Sequence, residues 1–326
     1  MVKYLLRRIG GWLLMIVVAT NLTYFLANAF LDPRSLYIGR RPPLSQSAID
    51  QLLQVNNLND KVSIFERWWI WIKGIVLHWD WGNSPVGDPV NAQVGFRIWV
   101  SGELVIGAFI LYTLIGVALG VFAASRQYKA ADRVTQALSI ITLNIPIIVA
   151  ALGIVLLAIK FNNAVGTRIF YVTGSKSQDV HGLAVIPDVA QHLVLPTIAL
   201  IIVNYASTQM LQRSLLLDNI SADYVRMARA KGLTKAQAIR KHALRPSLIP
   251  VATQVAFSIP ALFTGAVLTE SIFNWEGMGK YFIDTIGKSD VHGVVAVAAF
   301  GALMTAIGAI LADIAVVVLD PRVRVS

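Results

Sequence analysis

The sequence predicts an all-α membrane protein with six transmembrane helices and a helical extracytoplasmic insertion between the first two. Three observations carry that fold class. Of the 326 residues, 56% are hydrophobic and only 14% charged, and the mean hydropathy is +0.63. A soluble domain carries about a quarter of its residues charged and has no means of hiding so much apolar surface. Six stretches approach the roughly 20 apolar residues that a bilayer core of about 30 Å requires: Gly10–Leu31, Glu103–Ser125, Val134–Ile159, Val194–Met210, Ile249–Thr269 and Val291–Leu319. The formal charge of +10 is distributed unevenly between the loops that separate them.

The first stretch follows Lys3, Arg7 and Arg8 and ends in the small-x-small triplet Ala27-Asn28-Ala29, so a signal peptide is its competing reading. Its apolar run exceeds the usual signal length, and five further spans follow, which favours a retained helix. Residues 32–102 are too long for a connector and are expected to hold structure of their own. Ser45 is placed to cap a short helix through Leu53. Ser63 to Glu66 reads as a capping box opening a helix toward Leu77. The second stretch begins at Glu103, an acid suited to a helix N-terminus. It contains Gly116-x-x-x-Gly120, a spacing that permits close helix packing. Pro146, Pro250 and Pro260 are candidates to break or kink helices. Asp313 lies in the last stretch, where an ionisable group is functional or paired.

Counting charges by side orients the chain. Residues 1–9, 126–133, 211–248 and 320–326 share one side and hold sixteen basic and four acidic residues. The opposite loops, 32–102, 160–193 and 270–290, hold twelve of each. The side rich in Lys and Arg is cytoplasmic, so both termini are expected inside a plasma membrane. The organisation expected is one transmembrane domain over 1–326, with the insertion at 32–102 and a cytoplasmic loop at 211–248. Trp68, Trp69, Trp71, Trp79, Trp81, Trp99 and Trp275 fall in or beside outer loops. We read them as an aromatic belt at the headgroup layer; a docking surface for a soluble partner is the competing reading.

The loop 211–248 is the most informative segment. Ser221 is placed to cap a helix running to Lys231, and Gly232 sits where a left-handed residue ends one. Thr234 and Gln237 form a second capping box, opening a helix expected to end near Pro246. Eight basic and two acidic residues make the segment cationic. A lipid-facing topology signal, a nucleic-acid-binding helix-turn-helix and a docking element are the three readings. Tethering at both ends to a membrane argues against nucleic acid. Small Ala228 and Ala230 beside Gly232 would let a partner's groove approach the backbone.

Tyr224-Val-Arg-Met-Ala-Arg-Ala-Lys-Gly232, followed by Leu248-Ile249-Pro250, resembles the "EAA" coupling loop of ATP-binding-cassette importer permeases. His192-Leu-Val-Leu-Pro196, Glu270-Ser-Ile-Phe-Asn-Trp-Glu-Gly-Met-Gly279 and Leu319-Asp-Pro-Arg322 resemble the first permease subunit of dipeptide and oligopeptide importers. Tyr4-Leu-Leu-Arg-Arg8 and Trp79-Asp-Trp-Gly-Asn-Ser84 match that group more loosely. The chain departs from it at Glu276, where Pro is usual, and at Trp79-Asp-Trp-Gly, where Gly-Asp-Leu-Gly is usual. The resemblance implies a type I importer permease fold. It implies a second homologous permease, two ATP-binding-cassette ATPase domains, an extracytoplasmic substrate-binding protein and surrounding membrane lipid as partners. It also implies that Tyr224, Ala228, Arg229, Ala230, Lys231, Gly232, Leu233, Lys235 and His242 form the ATPase-coupling loop. ATP and Mg would be bound by the partners, not by this chain.

The remaining chemistry is sparse. There is no Cys, hence no thiolate or Cys-ligated metal site, and the five His show no H-E-x-x-H pattern, so no metal site is expected. Gly287-Lys288-Ser289 lacks the preceding Gly of a phosphate loop, since Phe282 stands there. No catalytic residue is expected. Asn144, Asn204, Gln254, Ser258 and Thr264, with Thr113, Ser139, Thr142 and Thr253, are candidates to line a water-filled path or to join helices. The leading function is the pore-forming subunit of an ATP-driven peptide importer working by alternating access. The alternatives are an ion- or proton-coupled secondary transporter, a membrane-anchored scaffold, and the same importer type carrying a nickel chelate, glutathione or haem.

Overall fold

The computed structural model describes the backbone of residues 2–39 and 41–319 and the side chains of residues 7–39, 41–258 and 266–314. Regular structure among the described residues is helical; one isolated bridge pairs Asn83 with Pro89. The helices are α1 (Val2–Phe30), α2 (Gln46–Val55), α3 (Ile64–His78), α4 (Val90–Ser125), α5 (Ala130–Leu143), α6 (Ile147–Val165), α7 (Val185–Ile220), α8 (Asp223–Ala230), α9 (Lys235–Ala238), α10 (Leu244–Ile272), α11 (Met278–Gly287) and α12 (Val291–Leu319). They fall in two compact units, one of residues 1–102 and 276–306, the other of 103–275 and 307–326.

Among the described residues, five helical stretches are long and apolar enough to span a bilayer: Arg7–Phe30, Val90–Ser125, Ile147–Val165, Gly182–Ile220 and Val291–Ile314. The predicted stretch Ile249–Thr269 lies inside α10, several of whose side chains, Pro260 included, lie outside the described residues. The spans keep large apolar side chains on the surface, among them Leu13, Leu14, Val17 and Val18 on α1 and Leu152, Leu156 and Leu157 on α6. A surface of that kind suits contact with lipid or with partner helices.

The unit containing residues 1–102 packs around aromatic side chains. Tyr24 is fully buried and stacks on Trp71 at 4.6 Å between ring centroids. The Trp71 indole N–H donates to the Trp81 carbonyl at 3.1 Å. Leu53 of α2 and Val291 and Val295 of α12 complete this core. Arg67 is buried here too, donating to Asn28 Oδ1 at 2.6 Å and to the Val62 carbonyl at 3.3 Å. Thus Trp71 is core and not belt. Trp69, Trp79 and Trp99 stay exposed, at 53%, 68% and 72%, and only for exposed rings does the choice between belt and docking surface arise. Ser45 caps α2 as expected, its Oγ accepting from the Ala48 N–H at 3.2 Å. Ser63 precedes α3 as expected but makes no side-chain capping bond. Gly82 is obligatory: its φ is +89°, and a Cβ there would lie 2.7 Å from His292 Nδ1.

The other unit corrects several expected boundaries. The stretch Val134–Ile159 is not one helix. α5 stops at Leu143, and Pro146, extended at φ −59° and ψ 138°, precedes α6. Proline disfavours a helical residue before it and removes a hydrogen bond within a helix. α4 begins at Val90, so Glu103 sits in mid-helix and not at an N-terminus. α7 runs well beyond Val194–Met210 and carries Pro196 inside it. Gly116 and Gly120 let α4 pass against α7. A Cβ at Gly116 would come within 2.8 Å of Thr208 Cβ and the Tyr205 carbonyl. One at Gly120 would come within 2.8 Å of the Gln209 carbonyl and Gln212 Cβ. That is the packing the glycine spacing predicts.

Candidate functional site

Within the cationic segment 211–248, α7 ends at Ile220, and a short helix, a tight turn and a second short helix follow, the last running into α10. α8 ends in a Schellman motif: the Gly232 N–H donates to the Arg229 carbonyl at 3.0 Å and the Leu233 N–H to the Ala228 carbonyl at 3.3 Å. Gly232 has φ +94°, which only glycine adopts without strain, and a Cβ there would meet nothing within 4 Å. The turn is therefore set by backbone conformation, with free space around it. Thr234 then caps α9 in a reciprocal box. Its Oγ1 accepts from the Gln237 N–H at 3.3 Å, and Gln237 Oε1 accepts from the Thr234 N–H at 2.9 Å.

Two expectations for this segment fail. Ser221 is not the cap of α8. It closes α7, donating through Oγ to the Asp218 carbonyl at 2.9 Å, and Ala222 precedes α8. Nor does the second helix end near Pro246. α9 widens into a π-turn over Ile239–Ala243, where the Leu244 N–H reaches the Ile239 carbonyl, and α10 follows without a break. The proline ring crowds the carbonyl four residues earlier. That residue, His242, lies in the widened turn, where its carbonyl is displaced from the α-helical position.

Packing divides the segment into two faces. Val225, Ala228, Ala238, Ile239 and Ala243 are buried with Ala124 and Leu216, and Leu233 packs against them. Ala228 is therefore small because it is core, not because a partner needs the room. Arg229, Ala230, Lys231, Gly232 and Lys235 are exposed, Tyr224 is 44% exposed, and His242 is half-buried. Tyr224 Oη donates to Asn219 Oδ1 at 2.5 Å. Met227, absent from the predicted set, is 58% exposed. It stands three residues after Tyr224 and four before Lys231, so the three share one face. The signal was present: Val225 and Ala228 face the core, leaving Met227 as an apolar residue on the opposite side.

This segment is anchored from α5 and α10. Asp132, in the first turn of α5, is buried and meets Arg213 of α7 in two hydrogen bonds, Nε to Oδ1 at 2.7 Å and the second guanidinium nitrogen to Oδ2 at 2.8 Å. The Tyr128 N–H adds a third at 2.9 Å. The Arg213 bonds hold the Asp132 carboxyl below the usual carboxylate range against the opposing effect of burial. Gln212 Nε2 donates to Ser247 Oγ at 3.0 Å, tying α7 to the first turn of α10. These bonds tie the end of α7 to α5 and to the start of α10.

On α7, His192 Nδ1 donates to the Gly174 carbonyl at 2.9 Å, and the Gly174 N–H donates to the Phe273 carbonyl at 2.8 Å. Asp188 accepts from both the N–H and the Oγ of Ser177 at 2.7 Å. Phe273 and Trp275 are buried. The motifs at His192–Pro196 and Glu270–Gly279 are therefore joined through one loop residue.

The candidate pore residues with described side chains lie at the end of α5, on α7 and on α10. Asn144 is exposed after α5 and donates to the Ile140 carbonyl at 2.7 Å. Asn204 is half-buried on α7 and donates to the Leu200 carbonyl at 2.8 Å. On α10, Gln254 is exposed, and half-buried Ser258 donates to the Val255 carbonyl at 2.7 Å. Three of the four thus spend a donor on local backbone and do not yet define a cavity. Residues 320–322 of the tail motif, and the side chains of Thr264 and of residues 3–6, lie outside the described residues. Among the described residues no cluster of His, Cys, Asp and Glu has the grouping to hold a metal ion.

The family described as "Binding-protein-dependent transport system inner membrane component" matches residues 116–325. The chain is 37% identical over 328 residues to an oligopeptide transport system permease protein, OppB, of Mycobacterium tuberculosis, with both chains covered in full. It is 30% identical over 327 residues to the oligopeptide transport system permease protein AppB of Bacillus subtilis, covering 99% of this chain and 100% of that one. It is 29% identical over 326 residues to the dipeptide transport system permease protein DppB of Lactococcus lactis, again covering 99% and 100%. With the family match over the helices and loop just described, and relatives aligned from end to end, the chain belongs to the inner-membrane components of binding-protein-dependent transport systems.

Proposed function

We propose that this chain is the pore-forming subunit of an ATP-driven importer of oligopeptides or dipeptides, and that residues 211–248 are where ATPase movement enters it. The family supports ATPase and substrate-binding partners in general. The finer composition we propose is a second homologous permease, two ATP-binding-cassette domains that bind ATP and Mg, and an extracytoplasmic binding protein. The chain itself is a transport component and not an enzyme. Its termini and the segment 211–248 face the cytoplasm of a plasma membrane, a reading supported by the excess of Lys and Arg on that side. We treat 1–326 as one transmembrane domain with an outer insertion at 32–102.

The observation that carries the reading is the exposed row Tyr224, Met227 and Lys231 on a two-helix unit that follows α7 after a two-residue turn and runs into α10. An ATPase groove that grips this row and the Gly232 turn would move both helices when it closes. Arg229, Ala230 and Lys235 are exposed as well, while Ala228 and Leu233 pack inward and His242 lies half-buried in the π-turn. ATP-driven closure would then switch the pore between inward and outward access. Asn144, Asn204, Gln254, Ser258 and Thr264 are the residues we assign to the path. Peptide cargo is supported by the names of the aligned relatives. A nickel chelate, glutathione or haem is the competing cargo, and a secondary transporter is not favoured.

The test is uptake and ATP hydrolysis by the assembled transporter in proteoliposomes. Gly232→Trp is expected to insert normally and to hydrolyse ATP while losing peptide uptake. Gly232→Asn, which strains a left-handed turn less than other side chains do, is expected to keep both. Normal uptake in Gly232→Trp would overturn the coupling assignment. Competition of labelled peptide uptake by glutathione, haem or a nickel chelate, but not by unlabelled peptides, would overturn the cargo.

A further inference from the structure

A groove of about 420 Å³ lies beside the loop just described, lined by Val121, Ser125, Lys235, Ala236, Ile239, Arg240 and Leu244. Its volume is that of a small-molecule site. Its floor is apolar, from Val121, Ala236, Ile239 and Leu244. Its polar groups are the hydroxyl of Ser125 and two cations, and no carboxylate lines it. The Ser125 Oγ is already committed to the Val121 carbonyl at 2.7 Å. The cations Lys235 and Arg240 are exposed and have no acidic partner within the groove. An apolar floor under two unneutralised cations is complementary to an amphiphile with an anionic head.

The groove's level in the fold identifies that amphiphile. Val121 and Ser125 form the last turn of α4, a stretch apolar enough to span a bilayer, and Leu244 is the first residue of α10. Beside them the Arg126 guanidinium lies over the Phe122 ring at 4.0 Å, an aromatic-backed cation at the end of an apolar helix. Long cationic side chains take up that posture at the headgroup layer. We propose that the groove holds one anionic phospholipid, its phosphate between Lys235 and Arg240 and the start of an acyl chain along Val121, Ile239 and Leu244. The site goes beyond the proposed transport function and does not depend on the cargo. It would set lipid against the π-turn through which α9 becomes α10.

The test uses the assembled transporter, purified in detergent, stripped of lipid and titrated with dioleoyl-phosphatidylglycerol or dioleoyl-phosphatidylcholine, with retained lipids counted by native mass spectrometry. Expected is one retained phosphatidylglycerol that phosphatidylcholine does not replace. Arg240→Gln, an exposed and conservative change, is expected to weaken that binding about fivefold, as one cation at a headgroup does. Ala236→Trp fills the groove and is expected to abolish it, with the folded state checked by the unchanged mass of the assembly. Equal retention of the two lipids, or unchanged retention in both variants, would overturn the proposal. Displacement of the lipid by an equal concentration of glycerol phosphate would overturn it in favour of a soluble phosphate. Retention only after the ATPase subunits are removed would show that a partner covers the groove, which also overturns it.

Discussion

His192 of α7 and Phe273 at the end of α10 are held together by a single glycine: the imidazole donates to the Gly174 carbonyl at 2.9 Å, and the Gly174 N–H donates to the Phe273 carbonyl at 2.8 Å. A carbonyl only accepts, so the His192 proton sits on Nδ1. His192 is 3% exposed, and its ring packs against Tyr171 at 4.4 Å. His192→Ala would leave the Gly174 carbonyl without its donor, at a cost of about 1–3 kcal/mol. The expected outcome is a lower thermal midpoint and faster proteolytic cleavage between residues 166 and 184, with cleavage of 221–234 unchanged. Equal cleavage of wild type and variant in the first region would show that His192 does not hold this loop.

The Asp132–Arg213 pair is the electrostatic anchor beneath the loop. Asp132 is 2% exposed, whereas the Arg213 side chain keeps 21% of its surface. Asp132→Asn should therefore cost about 3 kcal/mol, the lower end for breaking a buried pair by removing one partner. Arg213→Met in the same chain should recover most of that loss, because no buried charge is then left unpaired. Chemical denaturation of the four proteins in a double-mutant cycle measures the coupling. Additive losses would mean that the two residues are not an energetic unit.

Gly116 and Gly120 make a prediction of opposite chemistry. Each would place a new Cβ at 2.8 Å from α7, at Gly116 against the Tyr205 carbonyl and at Gly120 against the Gln209 carbonyl. Backbone carbonyls do not rotate aside as a flexible side chain does. Gly120→Ala should destabilise by about 1–3 kcal/mol through overpacking. Gly107, with nothing within 4 Å of its ideal Cβ, is the control. Gly107→Ala should be neutral or slightly stabilising, since alanine is the better helix former. Equal midpoints for the two variants in a thermal scan would remove close packing as the reason for the glycine pair.

What was legible in the sequence was the chemistry that acts over a few residues. Ser45, Gly232 and the pair Thr234 and Gln237 stand where local capping rules place them, and α12 begins where apolar composition alone starts it. Prolines were legible as events and not as outcomes. Pro146 ends a helical run, Pro196 is absorbed inside α7, and Pro246 is carried by a π-turn. Which happens depends on the neighbouring turn, not on the ring. Ala228 misled because a small residue reads the same whether a partner or the protein's own core needs the space. Met227 was missed since its meaning depends on knowing which face of α8 Val225 buries. The Asp132–Arg213 pair joins separate helices, and nothing in the local pattern of either residue announces it.

Asp290, at the start of α12, supplies a pH test of the unit containing residues 1–102 and 276–306. Its side chain is 3% exposed, and Oδ1 accepts from the Gly293 N–H at 2.9 Å. Burial pushes its pKa up from 3.8 to about 6, with the Asp88 charge adding to the rise, while the Gly293 N–H and Lys288 oppose it. As pH rises from about 4, the unfolded chain gives up this proton first and the folded chain keeps it until about 6. The folded state binds more protons across that window, so stability falls with rising pH and then levels off. The two-unit shift corresponds to about 2–3 kcal/mol. Asp290→Asn keeps the acceptor for Gly293 and removes the ionisation. It should match or exceed wild-type stability at pH 7 and flatten the slope between pH 4 and 6. Denaturation midpoints of the two proteins across pH 4–7.5 decide it. Parallel profiles would show that Asp290 does not titrate against folding, whereas convergence at pH 4 with a gap opening toward pH 7 is the signature of a carboxyl that the fold prefers to keep neutral.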